Sequence, residues 1–155
     1  LDAGTRQFVH VSSNVPPVSA RERRAAAKAK EQSKTENDEK GTVDLNREFV
    51  KHPIYAGYGL IVGQSLREDA IDDGDSVIID TIVHPEEGDL AVSYRMGEFM
   101  IKYIEMRDGA LWLVPGNSKY EPVRISEEED TRKLVWGIVT YSIKQLRPDG
   151  KKRAA

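Results

Sequence analysis

Apolar residues are concentrated in the part of the chain after residue 42, where they form short runs rich in Val, Ile, Leu, Tyr and Trp. Such runs are typical of β-strands, and clusters containing Gly, Asp, Asn and Pro separate them as turns do. Gly74 and Gly88 each precede an aspartate and an apolar run, which predicts two similar tight corners. The pattern predicts strands over residues 58–64, 76–81, 90–94, 98–106, 110–114 and 133–145, and one short helix over residues 65–71.

The N-terminal part has a different pattern. Residues 19–41 contain seven basic and five acidic residues and no apolar residue except alanine. A segment this polar buries too little surface to offset its ordering entropy, so we expect a linker or a fraying, solvent-exposed helix, with residues 25–27 favouring helix locally. Its mixed charge is typical of a solvated surface, and contact of its basic half with nucleic acid is the alternative. The predicted organisation is a flexible arm over 1–42, a mostly β domain over 43–147 and a basic tail over 148–155.

Composition narrows the class of protein. The 155 residues carry a net charge of −3, which gives no overall attraction to nucleic acid, so DNA binding would need a part outside this chain. The absence of cysteine excludes disulfide scaffolds and thiol or zinc-thiolate sites. Apolar runs shorter than ten residues and the lack of a signal-peptide pattern predict a cytoplasmic protein without a membrane anchor. Because the chain begins with leucine, we expect a fragment or a processed product of a longer protein.

One lysine stands inside an apolar strand pattern and is a candidate for chemistry. Side chains alternate along a strand, so Met100, Lys102 and Ile104 share one face, with Phe99, Ile101 and Tyr103 on the other. An ordinary ammonium group has a pKa of about 10.4, and burial among apolar residues lowers that pKa until the amine can accept a proton. The alternative is a lysine that extends its amine to water at a strand edge.

Ser65 follows Gly63 and Gln64 at the end of another apolar run. A serine activated by a neutral lysine is the most plausible covalent chemistry for this chain, although Gly and Ser are also common in ordinary strand-ending turns. Asp75, Asp80 and Asp89 could be metal ligands, but carboxylates at turns and strand ends usually have structural roles. We therefore expect neither a metal nor another cofactor.

Several short motifs, taken together in order, form a specific set that covers about two-thirds of the chain. The motifs are Val43-Asp44-Leu45-Asn46, His52-Pro53, Gly63-Gln64-Ser65-Leu66, Ile71-Asp72-Asp73-Gly74-Asp75, Val77-Ile78-Ile79-Asp80, Gly88-Asp89, Gly97-Glu98-Phe99 with Lys102, and the run over residues 115–122. The set resembles the self-cleaving serine peptidase domains of the LexA/UmuD-like family, which includes lambda-type phage repressors, with the closest likeness to its UmuD-like members. The resemblance implies the LexA/UmuD C-terminal-like β fold. Gln64 and Leu66 depart from the residues usual beside the family's serine.

The resemblance assigns roles to particular residues. It implies that Ser65 is the nucleophile, that Lys102 is the general base, and that the backbone N–H groups of Gln64 and Ser65 form the oxyanion hole. The substrate would be the chain itself, cut at the bond between Ala3 and Gly4, and the stretch over residues 13–17 is a rival cleavage region.

The resemblance also implies partners. Cleavage would belong to the SOS response to DNA damage and would be promoted by a RecA filament on single-stranded DNA. It would either activate an accessory subunit of a translesion polymerase or inactivate a repressor whose DNA-binding domain is missing here. The apolar run over residues 133–143 suggests an exposed edge strand, which predicts a homodimer. Two alternatives are a non-enzymatic dimerisation module of a transcriptional repressor and a type I signal peptidase, which would need a membrane anchor.

Overall fold

The computed structural model describes residues 7–11, 18–29, 42–63, 71–95, 97–115, 121–125, 134–147 and 149. Within these residues the chain is mostly β, as the sequence predicts. The strands are β1 (Gln7–Val11), β2 (Ala56–Gly63), β3 (Ser76–Asp80), β4 (Leu90–Arg95), β5 (Glu98–Arg107), β6 (Ala110–Pro115), β7 (Val123–Ile125) and β8 (Gly137–Ile143). The helices are α1 (Ala20–Ala29) and α2 (Leu45–Phe49), and a 3-10 turn covers Pro53–Tyr55.

All these strands belong to one antiparallel sheet that closes on itself. The order is β1-β2-β3-β8-β4-β5-β6-β7, and β1 also pairs with β5 through Phe8 and Met100. Six strands therefore form a closed ring, and β6 and β7 extend the sheet beyond β5. This pairing covers part of the edges that β1 and β5 would otherwise expose.

Strand alternation produces two hydrophobic clusters on opposite faces of the sheet. The first fills the closed ring and consists of Val9, Ile61, Ile71, Val77, Ile79, Val92, Ile101 and Trp136. The second covers the opposite face of β4, β5 and β6 and consists of Ala91, Ile104, Leu113, Ile125, Val135 and Ile138. β5 contributes Ile101 to the first cluster and Ile104 to the second, so it is covered on both faces, as its sequence predicts.

The strand boundaries agree closely with the sequence pattern for β2 to β6, and the two predicted corners are confirmed. Gly74 and Gly88 both have positive φ, at 89° and 90°, a conformation that residues with a Cβ atom rarely adopt. The predicted helix over residues 65–71 lies outside the described residues except for Ile71, which forms a β-bridge. Residues 148 and 150–155 of the predicted tail also lie outside them.

The prediction that the last apolar run forms an exposed edge strand is wrong for the first part of β8. β8 pairs with β3 over Ile138–Ile143 and with β4 over Gly137–Val139, so its first residues lie between two strands of the sheet. Its strand conformation covers Gly137–Ile143, which is shorter than the predicted run. The edge formed by Gly137–Val139 is therefore not open to a second copy.

The expectation of a purely solvent-exposed arm also needs correction for two parts of residues 1–42. Gln7–Val11 form β1 inside the sheet, where Val9 is buried in the first cluster. α1 is a helix, as its alanines favour, but Val18 just before it and Arg23 within it are only 2% and 1% exposed. The described part of this region is therefore packed onto the domain.

Candidate catalytic site

The end of β2 leads directly to the candidate nucleophile. Gln64 and Ser65 lie outside the described residues, as do Ala3 and Gly4, but both flanks of segment 64–70 are described. Gly63 ends β2 with a φ of 117°, which a residue with a Cβ atom would adopt only under strain. Its backbone N–H donates to the carboxylate of Asp73 at 2.9 Å. The chain thus leaves β2 from a fixed point.

Further hydrogen bonds hold the two flanks of segment 64–70 together. The N–H of Ile61 donates to the Asp75 carbonyl oxygen at 2.8 Å, and the N–H of Gly74 donates to the Ile61 carbonyl oxygen at 2.8 Å. Ile71 is 2% exposed and packs in the first cluster. Because its entry and its exit are joined, segment 64–70 begins and ends at one place on the sheet.

Lys144, just after β8, reinforces the exit of this segment. Its Nζ donates to the carboxylates of Asp72 at 2.6 Å and of Asp75 at 2.8 and 3.0 Å. Asp75 is buried, and its carboxylate also accepts the N–H of Asp72 at 2.8 Å. The hydrogen bonds to Asp72 and then to Asp75 raise the pKa of the Lys144 ammonium above its usual 10.5. The Lys144 ammonium therefore remains charged across the neutral range, and Lys144, Asp72 and Asp75 are called the Lys144 clamp below.

Lys102 lies in the middle of β5 and is partly buried. In the sheet register it stands opposite Ala91 of β4 and Pro115 of β6. Ala91 is fully buried, and Ile104, two residues further along the same face, is 1% exposed. The lysine thus shares a face with apolar neighbours, as the alternation predicts.

β1 lies between the two strands that lead to Ser65 and carry Lys102. Gln7 stands opposite Gly63 of β2, while Phe8 stands opposite Met100 of β5. The same edge of β5 pairs first with β1, at Met100, and then with β6, beginning at Lys102. Lys102 therefore lies where the partner of this edge changes from β1 to β6. β1 therefore connects the two halves of the candidate site.

Strand direction defines where the chain before β1 starts. β1 is antiparallel to both β2 and β5. The N-terminal end of β1 therefore lies beside the C-terminal end of β2, which leads to Ser65, and beside the part of β5 that leads to Lys102. Residues 1–6 join the sheet at Gln7, at the end of the ring that leads to both candidate catalytic residues.

A buried polar group far from this site was not predicted from the sequence. The Nε of Arg23 donates to the Thr81 carbonyl oxygen at 3.1 Å, and its Nη2 donates to the carbonyl oxygens of Val135 at 2.9 Å and Trp136 at 3.4 Å. Burial lowers the pKa of the Arg23 guanidinium to about 10, while the charges of Asp80 and Glu22 act to raise it. The group stays charged at neutral pH and anchors α1 to the end of the ring.

The chain matches the family model described as Peptidase S24-like over residues 18–140. This match covers most of the chain and includes α1 together with β2 to β7 and the first part of β8. The chain belongs to the Peptidase S24-like family. Its membership supports the serine-peptidase class that the sequence predicts, and the fold agrees with the LexA/UmuD-like fold of that family.

Several curated relatives of this S24-like chain share parts of its sequence. The LexA repressor of Streptomyces coelicolor is 41% identical over 63 residues, which is 41% of this chain and 27% of that protein. Protein MucA of Salmonella typhimurium is 28% identical over 105 residues, which is 68% of this chain and 70% of MucA. Protein SamA of Salmonella typhimurium is also 28% identical over 105 residues, 71% of its length. The match thus spans about a quarter of the LexA repressor but more than two-thirds of MucA and SamA.

The aspartates considered as metal ligands have protein partners in this S24-like domain. Asp75 belongs to the Lys144 clamp, and Asp89 accepts the N–H of Glu86 at 2.8 Å. Asp80 contacts His52 and accepts the N–H of Ile82 at 3.0 Å. Across the described part of the chain, no group of three or more His, Asp or Glu side chains could hold a metal ion. Over the same part, no helix is both long and apolar enough to cross a bilayer.

A groove of about 370 Å³ lies on another side of the domain, between α2 and the outer face of β8. Its walls include Phe49, His52, Glu86, Asp89 and Tyr141, and Phe49 contacts Tyr141 with ring centroids 5.0 Å apart. Neither Gly63 nor Lys102 lines this groove, so it is separate from the candidate catalytic site.

Proposed function

We propose that this S24-like domain is a serine peptidase that cuts its own chain, with Ser65 as nucleophile and Lys102 as general base. The bond cut is the one between Ala3 and Gly4. The substrate is a segment of the same polypeptide, and hydrolysis of a peptide bond by a serine and a lysine needs no cofactor.

One observation carries this proposal: β1 pairs with both strands of the candidate site. Ser65 follows Gly63 by two residues and Gly4 precedes Gln7 by three, while Gln7 and Gly63 are direct partners. An extended chain spans roughly 3.3–3.6 Å per residue, so Ser65 lies within about 7 Å of Gly63 and Gly4 within about 11 Å of Gln7. The reacting groups are therefore tethered to neighbouring points, which supports cleavage within one molecule.

The chemistry follows from these roles. The Ser65 hydroxyl oxygen bonds to the carbonyl carbon of Ala3 while the neutral amine of Lys102 takes the hydroxyl proton. Backbone N–H groups of Gln64 and Ser65 donate to the oxyanion that forms. The bond to the Gly4 nitrogen then breaks, and this nitrogen leaves with the proton from Lys102. A water molecule hydrolyses the Ser65 ester, which restores the hydroxyl group and leaves a carboxylate on Ala3.

The biological role proposed is in the SOS response, with a RecA filament on single-stranded DNA as the activator of cleavage. Two roles are open: an accessory subunit of a translesion polymerase and the C-terminal part of a repressor. The similarity to MucA extends over 105 residues of this chain, compared with 63 residues for the LexA repressor, which supports the likeness to MucA.

The test is to incubate the purified chain at pH 7 and at pH 10 and to measure the masses of the products. A lysine base is active only when neutral, so we expect faster cleavage at pH 10 and a product that begins at Gly4. The Ser65→Ala variant should remain intact under both conditions. Cleavage of Ser65→Ala at the wild-type rate would reject the peptidase proposal, and an uncut wild type with RecA and single-stranded DNA would favour the non-enzymatic dimerisation module.

A further inference from the structure

A further role for β1 rests on the proposed function. We propose that β1 is the element that selects the bond to be cut. Its register in the sheet, fixed by a contact between Val9 and Gly59 and by the anchor at Arg23, sets which peptide bond upstream of Gln7 reaches the catalytic residues. The peptidase then selects its cleavage site by the number of residues between the bond and β1, as well as by a preference for Ala-Gly.

The first element that fixes the register is the space above Gly59. Val9 is 4% exposed and points into the closed ring, where it packs diagonally across from Gly59. A Cβ atom at Gly59 would collide with Cγ1 of Val9 and would stand 3.0 Å from Cγ2 of Val77 and 3.3 Å from Cδ1 of Ile79. Val9 therefore occupies the space that a side chain at residue 59 would fill.

The size of this space disfavours registers in which β1 is shifted by one residue along β2. A shift of β1 by one residue would turn Val9 to the outer face and direct the larger Phe8 or His10 into the ring. At present the outward His10 is exposed, and Phe8 faces the same side as the exposed Val62. Compared with registers shifted by one residue, the observed register is therefore the one that buries a valine and leaves the larger Phe8 and His10 outside.

The second element lies at the other end of β1. Val11 stands opposite Gly59, away from Gly63, so β1 runs from the catalytic end of the ring toward the end where β3 finishes. Arg23 binds the carbonyl oxygens of Thr81, Val135 and Trp136 at that far end. The chain is therefore held on both sides of residues 12–17, by β1 and by α1.

The start of α1 is itself reinforced. The Ser19 Oγ accepts the N–H of Glu22 at 3.2 Å, and the Glu22 carboxylate accepts the Ser19 hydroxyl at 3.0 Å and the Ser19 N–H at 3.4 Å. This reciprocal capping box fixes the first turn of the helix that carries Arg23. Val18, 2% exposed, packs immediately before it. β1 therefore has a fixed downstream attachment, which resists sliding along β2.

The decisive experiment inserts two residues, Gly-Ser, at one of two places and measures the cleavage position by mass spectrometry. Insertion between Thr5 and Arg6 moves the Ala3–Gly4 bond two residues away from β1. We expect cleavage at that bond to fall by about 10²-fold, as for a misplaced reacting group, or to move two residues toward β1. The matched control is the same insertion between Ser13 and Asn14, downstream of β1. It lengthens the link to Arg23 but leaves the contact between Val9 and Gly59 in place, so this contact should still hold the register and the position of the cut should not change.

A second pair of variants tests the Val9 contact with matched added methyl groups. Gly59→Ala should displace β1, reducing self-cleavage by at least about 10-fold and producing cuts at neighbouring bonds. Gly137→Ala adds the same methyl group elsewhere in the ring, where it meets Cγ2 of Ile79 at 2.5 Å. It controls for general overpacking and should not change which bond is cut. If Gly59→Ala does not fold, the insertion pair decides alone.

The outcomes separate this inference from the proposed function. Loss of cleavage in wild type, or cleavage that survives Ser65→Ala, rejects the peptidase itself. Serine-dependent cleavage at Ala3–Gly4 at the wild-type rate after the upstream insertion would reject selection by register, because recognition of the sequence alone would then suffice. A wild-type cut within residues 13–17, downstream of β1, would also reject it.

Discussion

His52 and Asp80 lie 2.6 Å apart, measured from the Nδ1 atom of the imidazole to the Oδ2 atom of the carboxylate. The other carboxylate oxygen accepts the N–H of Ile82 at 3.0 Å, and the charge of Asp80 also acts on the buried Arg23. One carboxylate thus links the turn before β2, the end of β3 and the helix α1.

We expect Asp80→Asn to destabilise the domain, because it removes a negative charge that interacts favourably with the buried guanidinium of Arg23. The loss should be about 1–3 kcal/mol in the free energy of unfolding, measured by urea denaturation in the Ser65→Ala background to prevent cleavage. His52→Gln, at the partly exposed partner, should cost less than about 1 kcal/mol. Equal stability of Asp80→Asn and the parent would show that this charge does not support Arg23.

Variants of two neighbouring residues on β5 should distinguish a loss of catalysis from a loss of core packing. Lys102→Ala should lower self-cleavage by at least about 10²-fold, because the general base is lost. Ile101, 4% exposed on the opposite face, belongs to the first cluster, so Ile101→Ala should cost about 2–5 kcal/mol of stability. Cleavage should persist in the folded fraction of Ile101→Ala. Unchanged cleavage in Lys102→Ala would remove lysine from the mechanism.

The Lys144 clamp predicts a second effect on cleavage. Lys144→Met should slow the reaction by about 10-fold, because the exit of segment 64–70 loses its attachment. The folded-state pKa of Lys144 is raised, so its stabilising contribution is complete below 10.5 and is lost as the pH rises through that higher value. The defect should therefore appear at both pH 7 and pH 10. Lys51→Met, at an exposed position, is the control, and an equal rate loss there would argue against the clamp.

The exposed apolar side chains on the outer face of β2 and β8 lead us to predict a homodimer. Tyr58, Leu60 and Val62 on β2 and Tyr141 and Ile143 on β8 are all exposed, with β3 between the two strands. The double variant Leu60→Glu with Ile143→Glu should shift the mass in light scattering from a dimer to the 17.4 kDa monomer. Met106→Glu, an exposed apolar position on β5, is the control. A wild-type monomer at micromolar concentration would contradict the prediction.

Local patterns were sufficient to predict β2 to β6 and the shared face of Met100, Lys102 and Ile104. They could not predict pairing order, which is why β8 was expected at an edge although it lies between β3 and β4. β1 was missed because Gln7–Val11 is only five residues long and lies in a polar region.

The burial of Arg23, like the pairing order of the strands, could not be predicted from the sequence. Arginine is among the residues most often exposed, and its neighbours in α1 are charged or alanine. Its partners Thr81 and Val135 are 58 and 112 positions away in the chain. The contact between His52 and Asp80 likewise joins residues 28 positions apart and has no local signal.

The closed ring has a consequence for what remains after cleavage. A cut at Ala3–Gly4 leaves β1 attached, so β2 and β5 keep their partner. A chain shortened past Val11 would instead expose the edges of β2 and β5 that β1 covers, and unpaired strand edges are a template for aggregation with other molecules. In the proposed reaction, β1 would thus both hold the substrate segment beside the catalytic residues and protect these two strand edges in the cleaved product.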